Sequence, residues 1–326
     1  MKKNFKTLLA STLAAVMVLG AVGVAPGLSA SVRNHVIGED FTIPVPTAPG
    51  TTVARNARAV VDVSNAREGY IMVSILDESI ERVMVLIYGP PREEGAARVR
   101  YQYTISVRGE DEWAVLPLTE GNGDYHIIVG RVVEGGRIAS LIQIPQLTVN
   151  MVNEFAPFLH PSYVVNFNEN SDVVEKAAYL TRNSRTVLQS VRAIYNFVIE
   201  NIEYDHDWAD EVIAGRQGRH IVDIDAVLYN RRGVCSDYSA LIAAMFRSIG
   251  IPTRVNEGWV DNVPGNTRPV FHAWIEIFIP GRGWVGVVEF DGNNWGLLDP
   301  TFSSTGGAAA RRIITNTANY RFTHRF

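Results

Sequence analysis

Short segments with a β-strand pattern fill the chain from about residue 50 to residue 150. Seven of them are rich in β-branched and aromatic residues, and they cover residues 59–63, 69–75, 82–88, 99–105, 113–118, 125–130 and 138–144. The connections between them, such as Gly89-Pro90-Pro91 and Gly121-Asn122-Gly123, consist of turn residues. This density of short strands is typical of an antiparallel β-sandwich of immunoglobulin-like type. We therefore predict an immunoglobulin-like domain over residues 51–150.

The chemistry of this first domain predicts no catalytic role. No converging cluster of charged residues or histidines is visible along residues 51–150. Because a fold alone does not carry an activity, we expect the domain to act as a spacer or a recognition module.

The hydrophobic period changes to that of helices after Pro145. Residues 170–205 are helical in pattern, and apolar residues recur at spacings of three and four between Val187 and Ile202, which places them on one helix face. A second apolar stripe follows Cys235 and consists of Tyr238, Leu241, Ile242, Met245, Phe246 and Ile249. Gly250 and then Pro252 give this second helix its stop.

Strand patterns return after the second helix. They cover residues 253–255, 273–279, 284–288 and 295–298, with a Pro280-Gly281 turn between two of them. Helices followed by antiparallel strands indicate an α+β domain, which we assign to residues 151–326.

The N-terminal residues resemble an export signal. Lys2, Lys3 and Lys6 precede an apolar run from Leu8 to about Val24, and small residues follow near Ala30. We predict a signal peptide over residues 1–30 and a Pro-rich linker over residues 31–50. A membrane anchor is the competing interpretation, but the Gly and Ala content of the run favours cleavage. The predicted location is therefore secreted, cell-surface or otherwise extracytoplasmic, with no stable membrane insertion after cleavage.

Composition excludes several kinds of partner. The chain has 326 residues with a formal net charge of −4, and no basic block runs through the mature part, so neither nucleic acid nor an anionic membrane is an expected partner. One cysteine cannot form the paired ligands of a cysteine-type zinc site. We expect no metal and no cofactor.

That single cysteine carries the chemical hypothesis. Cys235 has no disulfide partner in a chain that we expect to be exported, so reactivity is the natural reason for its presence. A cysteine in the first turn of a helix lies beside unpaired backbone N–H groups, which favour the thiolate and would also stabilise an oxyanion. His272 and Asp299 follow in the order that a base and its orienting carboxylate require.

Four motifs around these residues resemble the core of the transglutaminase-like superfamily of papain-related folds. They are Gly233-Val234-Cys235-Ser236-Asp237-Tyr238, residues 247–255, His272-Ala273-Trp274 and Asp299-Pro300-Thr301, and the resemblance covers about residues 160–305. It implies a catalytic triad of Cys235, His272 and Asp299. It also implies an aromatic oxyanion ligand upstream of the cysteine, for which Tyr204 and Trp208 lie in the right region without matching a motif.

The resemblance leaves the direction of the reaction open. Its members include acyl transferases, deamidases, peptidases and proteins that have lost the triad. We predict an exported cysteine enzyme that acts on amide bonds of a protein or peptide, with cell-wall peptides as one candidate substrate. The acyl-thioester would pass to water or to an amine. The alternative is a non-catalytic surface binding or scaffold protein that retains the fold.

Overall fold

The computed structural model describes residues 41–106, 109, 112–213, 221–289, 295–297, 299–305, 313–314 and 316–326. The predicted signal peptide and the first part of the predicted linker lie outside these residues. Residues 41–50 form neither helix nor strand, but they contact the first half of the chain. The Thr47 N–H donates to the Tyr70 hydroxyl at 3.1 Å, and the Gly50 N–H donates to Asp62 Oδ2 at 2.8 Å.

Within the described residues, the first half consists of eight antiparallel strands. They are β1 (Val53–Arg55), β2 (Ala59–Asp62), β3 (Tyr70–Ile75), β4 (Val83–Tyr88), β5 (Arg100–Ile105), β6 (Ala114–Pro117), β7 (Gly123–Val132) and β8 (Ile138–Val149). Two four-stranded sheets result, with orders β1-β2-β3-β6 and β5-β4-β7-β8. All seven predicted strands are confirmed, and β1 is an addition that the sequence pattern did not predict.

Side chains of both sheets share one hydrophobic core. Ile71 and Val73 of β3 and Val85 of β4 are completely buried in it. Buried and exposed residues alternate along β5, as the two-residue period of a strand requires. We call residues 53–149 the β half; its architecture is β-rich and antiparallel.

Helices begin the second half, as the change of period predicted. They are α1 (Asp172–Thr181), α2 (Val187–Asn201), α3 (His206–Ile213), α4 (Ile224–Asn230), α5 (Cys235–Ser248) and, later in the chain, α6 (Pro300–Thr305). The predicted stripe of α5 is buried, with Tyr238, Leu241 and Met245 all at 0% exposure. The sequence pattern missed the short helices α3 and α4.

Antiparallel strands complete the second half. The main sheet has the order β13-β12-β11-β16, built from β11 (Thr253–Val260), β12 (Val270–Ile279), β13 (Gly283–Val285) and β16 (Tyr320–Arg325). A two-stranded sheet pairs β14 (Val287–Glu289) with β15 (Trp295–Leu297), and β9 (Glu203–Tyr204) pairs in parallel with β10 (Arg232–Gly233). The sequence pattern predicted one strand over 284–288, where the structure has two, and it missed β16.

The two halves belong to one compact unit, His35–Phe326. The Phe326 ring packs edge-on against Tyr101 of β5 at 5.5 Å, and the Thr119 hydroxyl donates to the Arg325 carbonyl at 2.8 Å. Fully buried Arg247 of α5 donates to the carbonyl oxygens of Thr253, Phe326 and His160. The predicted domain boundary at residue 150 stays a prediction. Among the described helices, none is long and apolar enough to cross a membrane.

Candidate active site

Cys235 is the first residue of α5. Val234 before it is extended, with φ of −99° and ψ of −176°, so the backbone turns into the helix at the cysteine. Val234 has no side-chain oxygen to cap the helix. Instead the Asp237 carboxylate accepts the Val234 N–H at 2.8 Å and fixes this turn. The free Cys235 thiol is partly exposed, as a nucleophile must be.

Gly233 is required by the close approach of Asp237. A Cβ atom at Gly233 would lie 2.6 Å from the Asp237 Cβ and 3.0 Å from its Oδ2, closer than real contacts allow. Gly233 is the last residue of β10, and it lies opposite Tyr204, the last residue of β9. These contacts place the cysteine at the junction between a strand and a buried helix, in the first helical turn that the sequence predicted.

His272 lies in β12 and forms a buried pair with Asp299. The His272 Nε2 atom is 2.8 Å from Asp299 Oδ2, and the two residues are 4% and 0% exposed. The imidazole also interacts with the Cys235 side chain, and this interaction raises the pKa of His272. The structure thus brings the three predicted residues together in the order thiol, imidazole, carboxylate.

Asp299 is held by two further groups besides His272. The Tyr320 hydroxyl donates to Asp299 Oδ2 at 2.8 Å, and the Phe302 N–H donates to Oδ1 at 3.1 Å. Asp299 therefore caps the N-terminus of α6, whose positive end favours a carboxylate. Among the described residues, the strands β13, β14 and β15 lie between β12, which carries His272, and α6, which follows Asp299.

Aromatic rings enclose the imidazole. Phe302 stacks on His272 with a centroid distance of 4.5 Å, and Trp274 lies roughly parallel to it at 6.5 Å. Trp274 is 5% exposed and also packs edge-on against Tyr320. This packing restricts rotation of the imidazole ring, and His272 is only 4% exposed.

Opposing effects act on the pKa of His272. Burial lowers it, but the negative charge of Asp299, the hydrogen bond to that carboxylate and the contact with Cys235 raise it more strongly, to about 10. The surroundings therefore favour the imidazolium, the form that would pair with a thiolate.

Tyr204 lies beside the cysteine. Burial, followed by electrostatic interactions with Cys235 and nearby groups, raises the pKa of Tyr204 to about 12. The hydroxyl thus stays protonated and able to donate a hydrogen bond at neutral pH. Trp208 belongs to α3, and its backbone N–H donates to Asp205 Oδ1 at 2.9 Å.

Three residues that support the candidate active site were not predicted from the sequence. They are Tyr320 and Phe302, which contact Asp299, and Asp237, which packs against Gly233. Tyr320 follows Asp299 by 21 positions in a segment for which we predicted no element. Phe302 could have been noticed only as an apolar residue in the first turn after Asp299-Pro300. Neither residue carries a motif, since each acts on the site through packing or a single hydroxyl.

Comparison with known proteins gives the family. Residues 174–288 match the family described as Transglutaminase-like superfamily. The chain is 31% identical over 140 residues to the uncharacterized protein ML0607 of Mycobacterium leprae, which corresponds to 40% of this chain and 45% of that protein. It is 36% identical over 72 residues to a protein-glutamine gamma-glutamyltransferase of Pseudomonas aeruginosa, which corresponds to 20% of this chain and 11% of that protein.

The chain spans less than half the length of these curated relatives. Among solved structures, the periplasmic domain of TgpA from Pseudomonas aeruginosa aligns with 80% of this chain and 99% of that domain, at 15% identity and a TM-score of 0.32. This superposition is too distant to support an argument about function. The match over residues 174–288 includes Cys235 and His272. Residues 174–288 of this chain therefore form a transglutaminase-like core.

Proposed function

We propose that the protein is an exported cysteine enzyme that cleaves or exchanges amide bonds of proteins or peptides through an acyl-thioester. The observation that carries the proposal is the buried His272–Asp299 pair at 2.8 Å whose imidazole also contacts Cys235. A thiol, an imidazole and a carboxylate in this order form the set that activates a cysteine nucleophile.

The first half-reaction consumes the amide. The Cys235 thiolate attacks the carbonyl carbon, a C–S bond forms, and the C=O electrons move to the oxygen. Backbone N–H groups at the start of α5 would stabilise this oxyanion, with the Tyr204 hydroxyl as a second donor. When the C–N bond breaks, the His272 imidazolium gives its proton to the leaving amine or ammonia.

The second half-reaction restores the enzyme. Neutral His272 takes a proton from water or from an amine, which attacks the thioester carbonyl and releases the Cys235 thiolate. Asp299 stabilises the imidazolium in both steps and fixes the ring orientation. Water gives hydrolysis or deamidation, whereas an amine gives a new amide.

The substrate class and location of the protein are parts of the same proposal. The name of the Pseudomonas relative supports the glutamine carboxamide as the first amide to test. The predicted signal peptide supports action outside the cytoplasm. The substrate would be a protein or a peptide, and cell-wall peptides are among the candidates. The β half would act as an immunoglobulin-like spacer or recognition module, which its two packed antiparallel sheets support.

Mass spectrometry tests the activity. Purified protein without the predicted signal peptide is incubated with glutamine-containing peptides and a primary-amine tag, beside Cys235→Ala. Cysteine-dependent tagging establishes acyl transfer, and cysteine-dependent deamidation or cleavage establishes hydrolysis.

Thiol alkylation separates an active site from a scaffold without knowledge of the substrate. We expect iodoacetamide to modify folded wild-type protein at mildly acidic pH faster than a free thiol, and His272→Ala to remove the excess. A slow rate that is equal in wild type and His272→Ala, together with no product in the peptide assay, would favour the non-catalytic alternative.

A further inference from the structure

Three arginines that are far apart in the sequence converge at one end of the β half. Arg58 precedes β2, Arg82 precedes β4, and Arg131 is near the end of β7. They line an open cavity of about 380 Å³ together with Asp77, Ser79, Ile80, Glu81 and Val132. Inspection of the sequence showed no charged cluster in this half, and the structure corrects that expectation, because strand pairing joins these segments.

The guanidinium groups of this cavity are largely free to bind. Arg58 Nε lies 3.8 Å from Asp77 Oδ2, a long ion pair on an exposed side chain. In the described part of the chain, the side chains of Arg82 and Arg131 make no hydrogen bond or ion pair, although Arg131 acts electrostatically on Asp77. Arg58, Arg82 and Arg131 are all exposed.

The two acidic side chains offset only part of this charge. Asp77 Oδ1 accepts hydrogen bonds from the Ser79 backbone and hydroxyl, which hold the pKa of the Asp77 carboxyl below its ordinary value and keep it ionised. The lining of the cavity thus contains three guanidinium groups and the two carboxylates of Asp77 and Glu81. One net positive charge therefore remains on a chain whose net charge is −4.

We propose that this arginine cavity binds an oxyanion, a phosphate or carboxylate group carried by a polar chain. Guanidinium groups bind such oxygens through paired, charge-assisted hydrogen bonds. The cavity is much larger than one oxyanion, so it has room for the polar units on either side of the charged group.

The cavity lies at the end of the β half opposite to the second half. Tyr70, the first residue of β3, stacks near His160, and Tyr101 in β5 contacts Phe326. Asp77 and Arg82 instead flank the other ends of β3 and β4. An oxyanion bound there would leave the candidate active site open. The cavity would therefore attach the protein to an acidic polymer while Cys235 remains accessible to a substrate.

Calorimetric titration at low ionic strength tests the site. Sodium phosphate and sodium acetate are titrated separately into the full chain without the predicted signal peptide. The test variant is Arg82→Glu/Arg131→Glu, and the matched control is Arg67→Glu/Arg100→Glu, which makes the same charge change at exposed positions of the β half away from the cavity. Thermal unfolding of each variant establishes that it is folded.

We expect wild type and control to bind at least one of the two anions, and the test variant to bind at least about tenfold more weakly, since charge-assisted hydrogen bonds are lost. Tighter binding of phosphate would indicate a polymer that carries phosphate groups. Equal or tighter binding of acetate would indicate a polymer that carries carboxylate groups. Cys235→Ala should bind like wild type, so the result is independent of catalysis. Absence of binding to wild type, or equal weakening in the control, would overturn the proposal.

Discussion

Asp299 is the residue whose contacts explain most of the candidate site. It accepts hydrogen bonds from His272, from Tyr320 and from the Phe302 N–H, although it is completely buried. A buried carboxylate is tolerated only when its oxygens are paired in this way. Asp299 therefore fixes the imidazole and connects it to α6 and to β16.

Replacement of Asp299 by asparagine removes the negative charge and keeps the shape of the side chain, so it tests the contribution of the charge to catalysis. We expect Asp299→Asn to remain folded but to lower kcat by about a hundredfold to ten-thousandfold, because the imidazolium loses its counter-charge. Tyr320→Phe removes one hydrogen bond to the same carboxylate and should lower kcat by about tenfold or less. Steady-state kinetics on the peptide found by mass spectrometry measure both effects.

The matched control is Asp261→Asn. Asp261 forms an exposed pair with Arg321 at 2.9 Å, and exposed pairs contribute little. Activity of Asp299→Asn close to that of the wild type and of this control would show that Asp299 has no role in the reaction.

The raised pKa of His272 predicts how stability depends on pH. Its folded-state pKa of about 10 lies above the ordinary value of 6.5. The pair with Asp299 therefore stabilises the fold fully below about pH 6.5, and this contribution is lost as the pH rises towards about 10. Thermal unfolding of wild type and His272→Gln should show a difference in Tm that narrows over this range. A difference that stays constant with pH would contradict the assignment.

The junction between β10 and α5 sets the position of the nucleophile. Asp237 caps this junction by accepting the Val234 N–H, and it packs within contact distance of Gly233. The groups in contact are the Val234 backbone N–H, the short Asp237 side chain and the Gly233 backbone. None of these groups is flexible enough to make room for a larger residue at position 233.

Gly233→Ala should therefore harm both stability and activity. The added methyl group would displace Asp237, and such overpacking costs about 1–3 kcal/mol of the free energy of unfolding. We expect urea denaturation to show this loss and iodoacetamide to modify Cys235 more slowly, since the thiol leaves its place beside His272. The control is Gly281→Ala in the β12–β13 turn, where an added Cβ meets nothing within 4 Å but φ is +79°, so this variant should lose stability through backbone strain and keep the wild-type alkylation rate. A wild-type alkylation rate in Gly233→Ala would show that this contact does not position the cysteine.

His160 joins the two halves of the molecule. Its ring lies 5.2 Å from that of Tyr70 in the β half, its carbonyl accepts from Arg247 of α5, and its Nδ1 is buried without a hydrogen-bond partner among the described residues. Burial and the positive charge of Arg247 lower the pKa of His160 to about 4. The ring is thus neutral in the folded protein at neutral pH.

Acid should weaken the fold through this residue. Between about pH 6.5 and 4 the unfolded chain binds a proton at His160 and the folded chain does not, so stability falls as the pH falls. We expect the free energy of unfolding of His160→Phe to decrease less steeply over this interval than that of wild type. Urea denaturation at several pH values measures the slopes, with His206→Phe as an exposed control. Equal slopes in wild type and His160→Phe would exclude His160 as a source of acid sensitivity.

The local pattern was sufficient for most of the individual elements. The seven strands of the β half, the helix that begins at Cys235 and the strand that carries His272 were all predicted from period, turn residues and capping. These features depend on residues a few positions apart, so a single sequence contains them. The elements that it missed are short or polar, such as α4 and β16, and the packing around them decides their structure.

The order Cys235, His272, Asp299 was also readable from the sequence, because each residue lies in a motif at the edge of a predicted element. Their surroundings were not. The Tyr320 hydroxyl on Asp299, the contact of Arg247 with His160 and the group of Arg58, Arg82 and Arg131 each join segments that are separated by more than twenty residues. Local periodicity defines strands and helices, but which of their ends meet depends on sheet pairing and on the packing of one shared core, and only the folded chain brings these side chains together.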